Sequence, residues 1–256
     1  MIYKRVGARL RAQDWLAITI ELTIVIVGVF IGTQVSNWNA ERLQKRETQR
    51  MLVQLEPQFK FLETFFKTAR PYYRVTRGYT DIALRGWHND PGVSDRDFVI
   101  AAYQASQIYT FGLDGENWAA IFGSERLRDI DDPDIRRGLT NVMTFNYDQL
   151  DLASVSTTYR QHVRQIVPID LQEAIRADCT DKPIGGSLQI FSLPATCDLN
   201  LPESRFAAGA VALRASPELA GELRWHIAAV ASFLASLELV AGQTKELQQA
   251  IEKSGH

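Results

Sequence analysis

The chain has 256 residues, enough for a membrane anchor and one domain of roughly 150–200 residues with its own core. A net charge of −2 and a pI near 6.1 exclude the basic balance of a protein whose main partner is nucleic acid. Hydrophobic content of 46% and charged content of 23% exclude collagen-like, low-complexity and disordered classes for all but the closing "EKSGH".

Residues 1–14 form a basic tail carrying Lys4, Arg5, Arg9 and Arg11. Residues 15–35, "WLAITIELTIVIVGVFIGTQV", then hold one ionisable group, Glu21. About 20 predominantly apolar residues are needed to cross the hydrocarbon core. Trp15 and Trp38 bracket the run as interface anchors, roughly 34 Å apart at ~1.5 Å per residue. A cleaved signal peptide would be shorter and end in a small-x-small site, which "TQVSNWN" does not supply. Residues 15–37 are therefore expected to be a transmembrane helix whose partner is the lipid bilayer. Within it, Glu21, Val25, Gly28 and Gly32 fall along one side. Gly28 and Gly32 make a GxxxG pair that lets helices pack closely. Glu21 is thus placed on a helix-packing face as an intramembrane polar site.

Orientation is not decided by basic residues alone, because Arg42, Lys45, Arg46 and Arg50 follow the span. The two cysteines, Cys179 and Cys197, flank the Gly- and Pro-containing stretch "CTDKPIGGSLQIFSLPATC". A pair closing a short irregular loop suits an oxidising compartment. The possible disulfide places the amino terminus in the cytoplasm and the large domain outside the inner membrane.

Residues 38–256 are expected to form a helical stalk and an all-α domain with a loop at 179–197. Met51, Leu55, Phe59, Leu62, Phe66, Ala69 and Tyr73 recur at helical spacings and read as core. Pro57 within this stripe predicts a kink or a break. Ser94 with Asp97, and Asp132 with Pro133 and Asp134, mark helix starts. Ser216, Pro217 and Glu218 mark a third, which runs on towards the C-terminus. One further helix is expected through "NVMTFNYDQLDLASVSTTYRQHVRQIV", and "SLQIFSL" could be a short extended piece. The fold class is all-α, a helical bundle on a stalk.

No catalytic motif stands out. Asp129, Asp131, Asp132 and Asp134 lack the glycine and distal glutamate of a calcium loop. His88, His162, His226 and His256 have no metal-ligand spacing, and "WHND" at 87–90 reads as a turn. No metal and no cofactor is expected.

At "GVFIGTQVSNWNAER" the sequence resembles a group of uncharacterised bacterial single-pass membrane proteins. In these, a basic tail leads into an apolar helix with an early glutamate that ends in Gln and then Asn-Trp-Asn-x-Glu-Arg. The matching residues are Glu21, Gln34, Asn37, Trp38, Asn39, Glu41 and Arg42. "NWAAIFGSERLRDIDDPDIRRGLTNV" is similar to the family's middle segment, whereas the cysteine pair lies outside its pattern. The resemblance implies a bacterial envelope location and no established activity; together with the cysteine reading, the expected place is the inner membrane with a periplasmic domain. Two roles follow. One is an interaction, scaffold or assembly subunit that forms a homo-oligomer or docks another membrane protein. The other is a subunit of a membrane complex using Glu21 as a proton or ion site, or an envelope sensor of a small ligand.

Overall fold

A computed structural model of the chain describes residues 14–109, 127, 130–145, 157–186 and 190–254. The basic tail up to residue 13, residues 117–126, 128 and 129 of the expected family middle segment, residues 146–156 and His256 lie outside the described residues. The described chain is mostly helical, with almost no strand. Its elements are α1 (Asp14–Trp87), α2 (Asp95–Gln104), α3 (Pro133–Thr144), α4 (Thr158–Ile166) and α5 (Ile169–Asp178). Strands β1 (Lys182–Pro183) and β2 (Phe191–Ser192) follow, then α6 (Glu203–Arg214) and α7 (Glu218–Lys253). The chain divides into two compact units, Met1–Val53 and Gln54–His256.

In the second unit, α1 presents Leu55, Phe59, Leu62, Phe65, Ala69, Tyr72 and Tyr73 to the core. Phe66 is only half-buried, and Phe65 and Tyr72 take the deeper positions. The helix passes through Pro57 and Pro71 without ending, so the expected break does not occur. Both prolines are exposed, so water can satisfy the carbonyls they orphan while the opposite face stays buried. The helix stops at a left-handed residue, Asn89 (φ 54°). Asp90 N donates to Arg85 O at 3.1 Å and Asn89 N to Gly86 O at 3.2 Å, the double bond pattern that closes a helix C-terminus.

Helix α2 starts as its sequence predicts, with Ser94 Oγ accepting from Asp97 N at 3.1 Å. It packs on α6, while α7 packs on α3 and α4. Asp132 Oδ1 caps α3 by accepting from Asp134 N (2.8 Å) and Ile135 N (3.2 Å), with Pro133 in the first turn. Gly138 of α3 and Leu247 of α7 meet so closely that a β-carbon at 138 would lie 3.0 Å from Leu247 Cδ1.

Three expectations need correcting. The single helix over 141–167 is instead α3, ending at Thr144 with Phe145 extended, and α4, capped by Thr157. Helices α5 and α6 were not anticipated. Both follow a proline without a side-chain cap, Pro168 and Pro202, so they lack the cap signals that announce a helix. At α7, Pro217 rather than Ser216 is the cap residue and no side chain caps the helix. The extended piece is half of a small hairpin, with Lys182 paired to Ser192 and Pro183 to Phe191.

Candidate functional site

In the unit Met1–Val53, Glu21, Val25, Gly28 and Gly32 lie on α1 within a sector of roughly 60° at 3.6 residues per turn. All four are exposed, and a β-carbon on either glycine would meet nothing within 4 Å. Mid-helix glycine costs about 1 kcal/mol against alanine, and no close approach among the described residues offsets it. No described residue hydrogen-bonds or ion-pairs with Glu21. The polar side chains nearby are satisfied locally: Thr19 Oγ1 donates to Trp15 O and Thr23 Oγ1 to Thr19 O, each at 2.6 Å. Such back-bonding is how hydroxyls persist where water is absent. Trp15 and Trp38 are both exposed, and the Arg42 guanidinium lies 4.7 Å from the Trp38 ring centroid.

Two described helices are long and apolar enough to cross a membrane. One is the stretch Ile18–Trp87, whose most apolar window has mean hydropathy 2.0 and is 0% buried. The other is Glu218–Lys253, with mean hydropathy 1.5 and 28% of its window buried. The difference in burial separates them: His226, Val230, Phe233, Leu237 and Val240 of α7 face the core of the second unit.

Within that unit, Cys179 and Cys197 form a disulfide with Cα atoms 5.4 Å apart. The loop it closes is tied to tyrosines of α1 and to the residues after α2. Tyr72 Oη donates to Asp181 Oδ1 at 2.9 Å, and Tyr79 Oη to Pro194 O at 2.9 Å. Phe191 N donates to Tyr109 Oη at 3.1 Å. Gln104 Nε2 donates to Cys179 O at 2.8 Å, and Gln107 and Arg164 continue the chain of hydrogen bonds to α4. Tyr109 stacks on Phe65 (4.7 Å between centroids) and tilts on Tyr72 (5.1 Å).

The electrostatics follow from burial. Desolvation raises the Asp181 carboxyl, opposed by the Tyr72 hydrogen bond and the Arg160 charge. Desolvation and the Asp181 charge push the Tyr72 phenol far above its ordinary range. Arg160 is lowered by burial and by neighbouring Arg164, while its Nη1 donates to Ser106 O at 2.7 Å. A neutral phenol bonded to a carboxylate beside an arginine orders a loop; it brings no nucleophile to a base.

The α4–α7 contact contains the one hydroxyl–imidazole pair among the described residues. Thr157 Oγ1 and His226 Nδ1 share a hydrogen bond at 2.7 Å. Burial lowers His226 to about 4, with the Arg160 charge adding to it. Thr157 Oγ1 also accepts from Arg160 N as the cap of α4, so both groups act in packing. His162 Nδ1 lies 2.9 Å from Glu222 Oε1 across the same contact. Among the described residues no His, Cys, Asp and Glu group could hold a metal ion. Asp132 serves as a cap, and Asp134 pairs with Arg137.

Sequence reasoning named the cysteines but missed Tyr72, Tyr79, Gln104 and Asp181. One signal was present: tyrosine rather than phenylalanine at core positions of α1, since a buried phenol needs a partner. The partners lie 36 to 115 residues away, beyond any local pattern. No protein-family model matches the chain, and no curated protein or solved structure is similar to it.

Proposed function

We propose that the chain is a single-pass protein of the bacterial inner membrane, spanning it with residues 15–37 and holding a helical bundle on the periplasmic side. Its role is that of an interaction or assembly subunit without enzymatic activity of its own. The observation that carries this is the bare sector of α1. Glu21, Gly28 and Gly32 share one side, no described residue of the chain covers it, and the surrounding window is wholly unburied. A glycine pair beside a carboxylate within hydrocarbon is best accommodated by a second helix, from another copy or another membrane protein. The cysteine staple supports the periplasmic placement of the domain, and the resemblance to the single-pass family fits the same topology.

Purification of the full chain from membranes in mild detergent, followed by mass determination, tests the reading. The expected result is an oligomer or a stoichiometric complex that Gly28→Leu with Gly32→Leu dissociates. A monomer with no bound protein removes the proposal.

A further inference from the structure

Within the unit Met1–Val53, α1 leaves the proposed span with its basic residues gathered on one side. Trp38, Arg42, Lys45 and Arg46 fall within an arc of roughly 100° at 3.6 residues per turn, and all four are exposed. Glu41 lies beyond one edge of that arc and Glu47 beyond the other. The arc itself therefore holds only cations beside the indole. No described carboxylate ion-pairs with Arg42 or Arg46.

The helix also sets a depth. With residues 15–37 as the span, residue 26 is its middle, and Trp38 and Arg42 stand about 18 and 24 Å beyond it at ~1.5 Å per residue. Half a bilayer measures about 20–22 Å, of which the outer 5–7 Å is headgroup. The Arg42 backbone is thus just above that layer. Its side chain folds back towards the N-terminus, and the guanidinium lies 4.7 Å from the Trp38 ring centroid. The charge is held at the level of Trp38, among the headgroups. This is the direction in which the Cα–Cβ bonds of a helix tilt, and here it points at the bilayer. Lys45 and Arg46, about 30 Å from the middle, stand within a Debye length (about 8 Å) of the layer's outer face. Arg50, about 36 Å out, stands beyond it. Stacking occupies the face of the Arg42 guanidinium and leaves its edge donors for a planar pair of acceptors, the geometry of a phosphate. No described residue accepts a hydrogen bond from them.

We infer, with the span at residues 15–37 as premise, that this side of α1 seats the headgroup of an anionic phospholipid. The phosphate accepts hydrogen bonds from the Arg42 edge while Trp38 holds the guanidinium by its face. Lys45 and Arg46 then favour a head of net negative charge over a zwitterionic one.

The test uses the full chain in nanodiscs of equal phosphatidylcholine and phosphatidylglycerol. Native mass spectrometry counts the lipids that stay bound after release. Phosphatidylglycerol should outnumber phosphatidylcholine about fivefold among them, the preference of one basic side chain at a charged surface. Arg42→Gln with Arg46→Gln should bring the two lipids to equal numbers, whereas Arg50→Gln should keep the preference. The three arginines are exposed, so the melting temperature should hold in every variant. No preference in the native chain, or a loss in Arg50→Gln as large as in the double variant, overturns the inference. Alkaline extraction of the native chain from phosphatidylcholine vesicles tests the premise separately. A chain released by alkali removes the span and the inference together; a chain retained without lipid preference removes the inference alone.

Discussion

Gly86 faces the ring of Phe98 so closely that a β-carbon at residue 86 would lie 2.1 Å from Phe98 Cδ2. Phe98 is itself pinned edge-on by Trp87, 5.1 Å between centroids, and covered by the Arg214 guanidinium at 5.1 Å. The ring cannot withdraw without moving α2. Gly86→Ala should therefore destabilise the domain by about 1–3 kcal/mol. Gly78 lies on the same helix with nothing within 4 Å of its β-carbon position. Gly78→Ala should be neutral or stabilising by up to ~1 kcal/mol. Thermal unfolding followed by near-ultraviolet circular dichroism compares the two; equal effects would refute the close-packing account.

The disulfide spans a sequence separation of 18. Closing a loop of that size contributes about 3 kcal/mol by chain entropy. Cys179→Ser with Cys197→Ser should lower the urea midpoint of the domain accordingly, and reductant should do the same to the native chain but not to the variant. A native chain indifferent to reductant would show that the staple does not form.

Removing the phenol hydroxyl in Tyr72→Phe leaves half-buried Asp181 without its 2.9 Å donor. The expected cost is about 1–3 kcal/mol, concentrated in the loop. Limited proteolysis should cut residues 182–196 faster than in the native chain while α7 stays protected. Uniform protection would mean that the loop does not depend on this bond.

His226 gives a pH dependence with a definite sign. Its folded value, about 4, lies below the ordinary 6.5, so between these values the unfolded chain binds more protons. Stability is then full above pH 6.5 and falls as pH drops through 4. The loss attributable to this residue is about 3 kcal/mol at most. His226→Gln keeps a partner for Thr157 and should flatten this segment of the stability–pH curve. Urea midpoints measured between pH 7 and 4 provide the check.

Glu21→Gln separates packing from proton or ion transfer, because glutamine keeps hydrogen-bonding capacity and loses only ionisation. The proposed assembly role predicts an intact complex with unchanged function in cells. A complex that assembles but loses function would move Glu21 from packing to ion transfer.

Legibility in the sequence followed the reach of each interaction. Ser94, Asp132 and Pro133 act within a turn of their own helix, and the starts of α2 and α3 were read from them directly. The stripe from Leu55 to Tyr73 repeats along one helix and was equally plain, apart from the exchange of Phe66 for Phe65. Pro57 misled because its cost depends on which face it occupies, a property of the folded unit. Helices α5 and α6 were hidden by uncapped starts. The partners of Tyr72, Tyr79 and Gln104 were out of reach because hydrogen bonds across tens of residues leave no periodicity.

Helix α7 has a consequence for how the protein is made. It is apolar enough to enter a bilayer, yet its burial in the folded unit covers only 28% of its most apolar window. In a chain that enters a membrane as proposed, lipid and the surfaces of α3 and α4 would compete for the same helix during biosynthesis. Both of those surfaces precede α7 in the chain and are synthesised before it. Gly138, where α3 admits Leu247 most closely, is part of that receiving surface. A bulky residue at 138 would do more than loosen a contact: it would tilt the choice between docking and insertion, and the error would surface as altered topology rather than as lost stability.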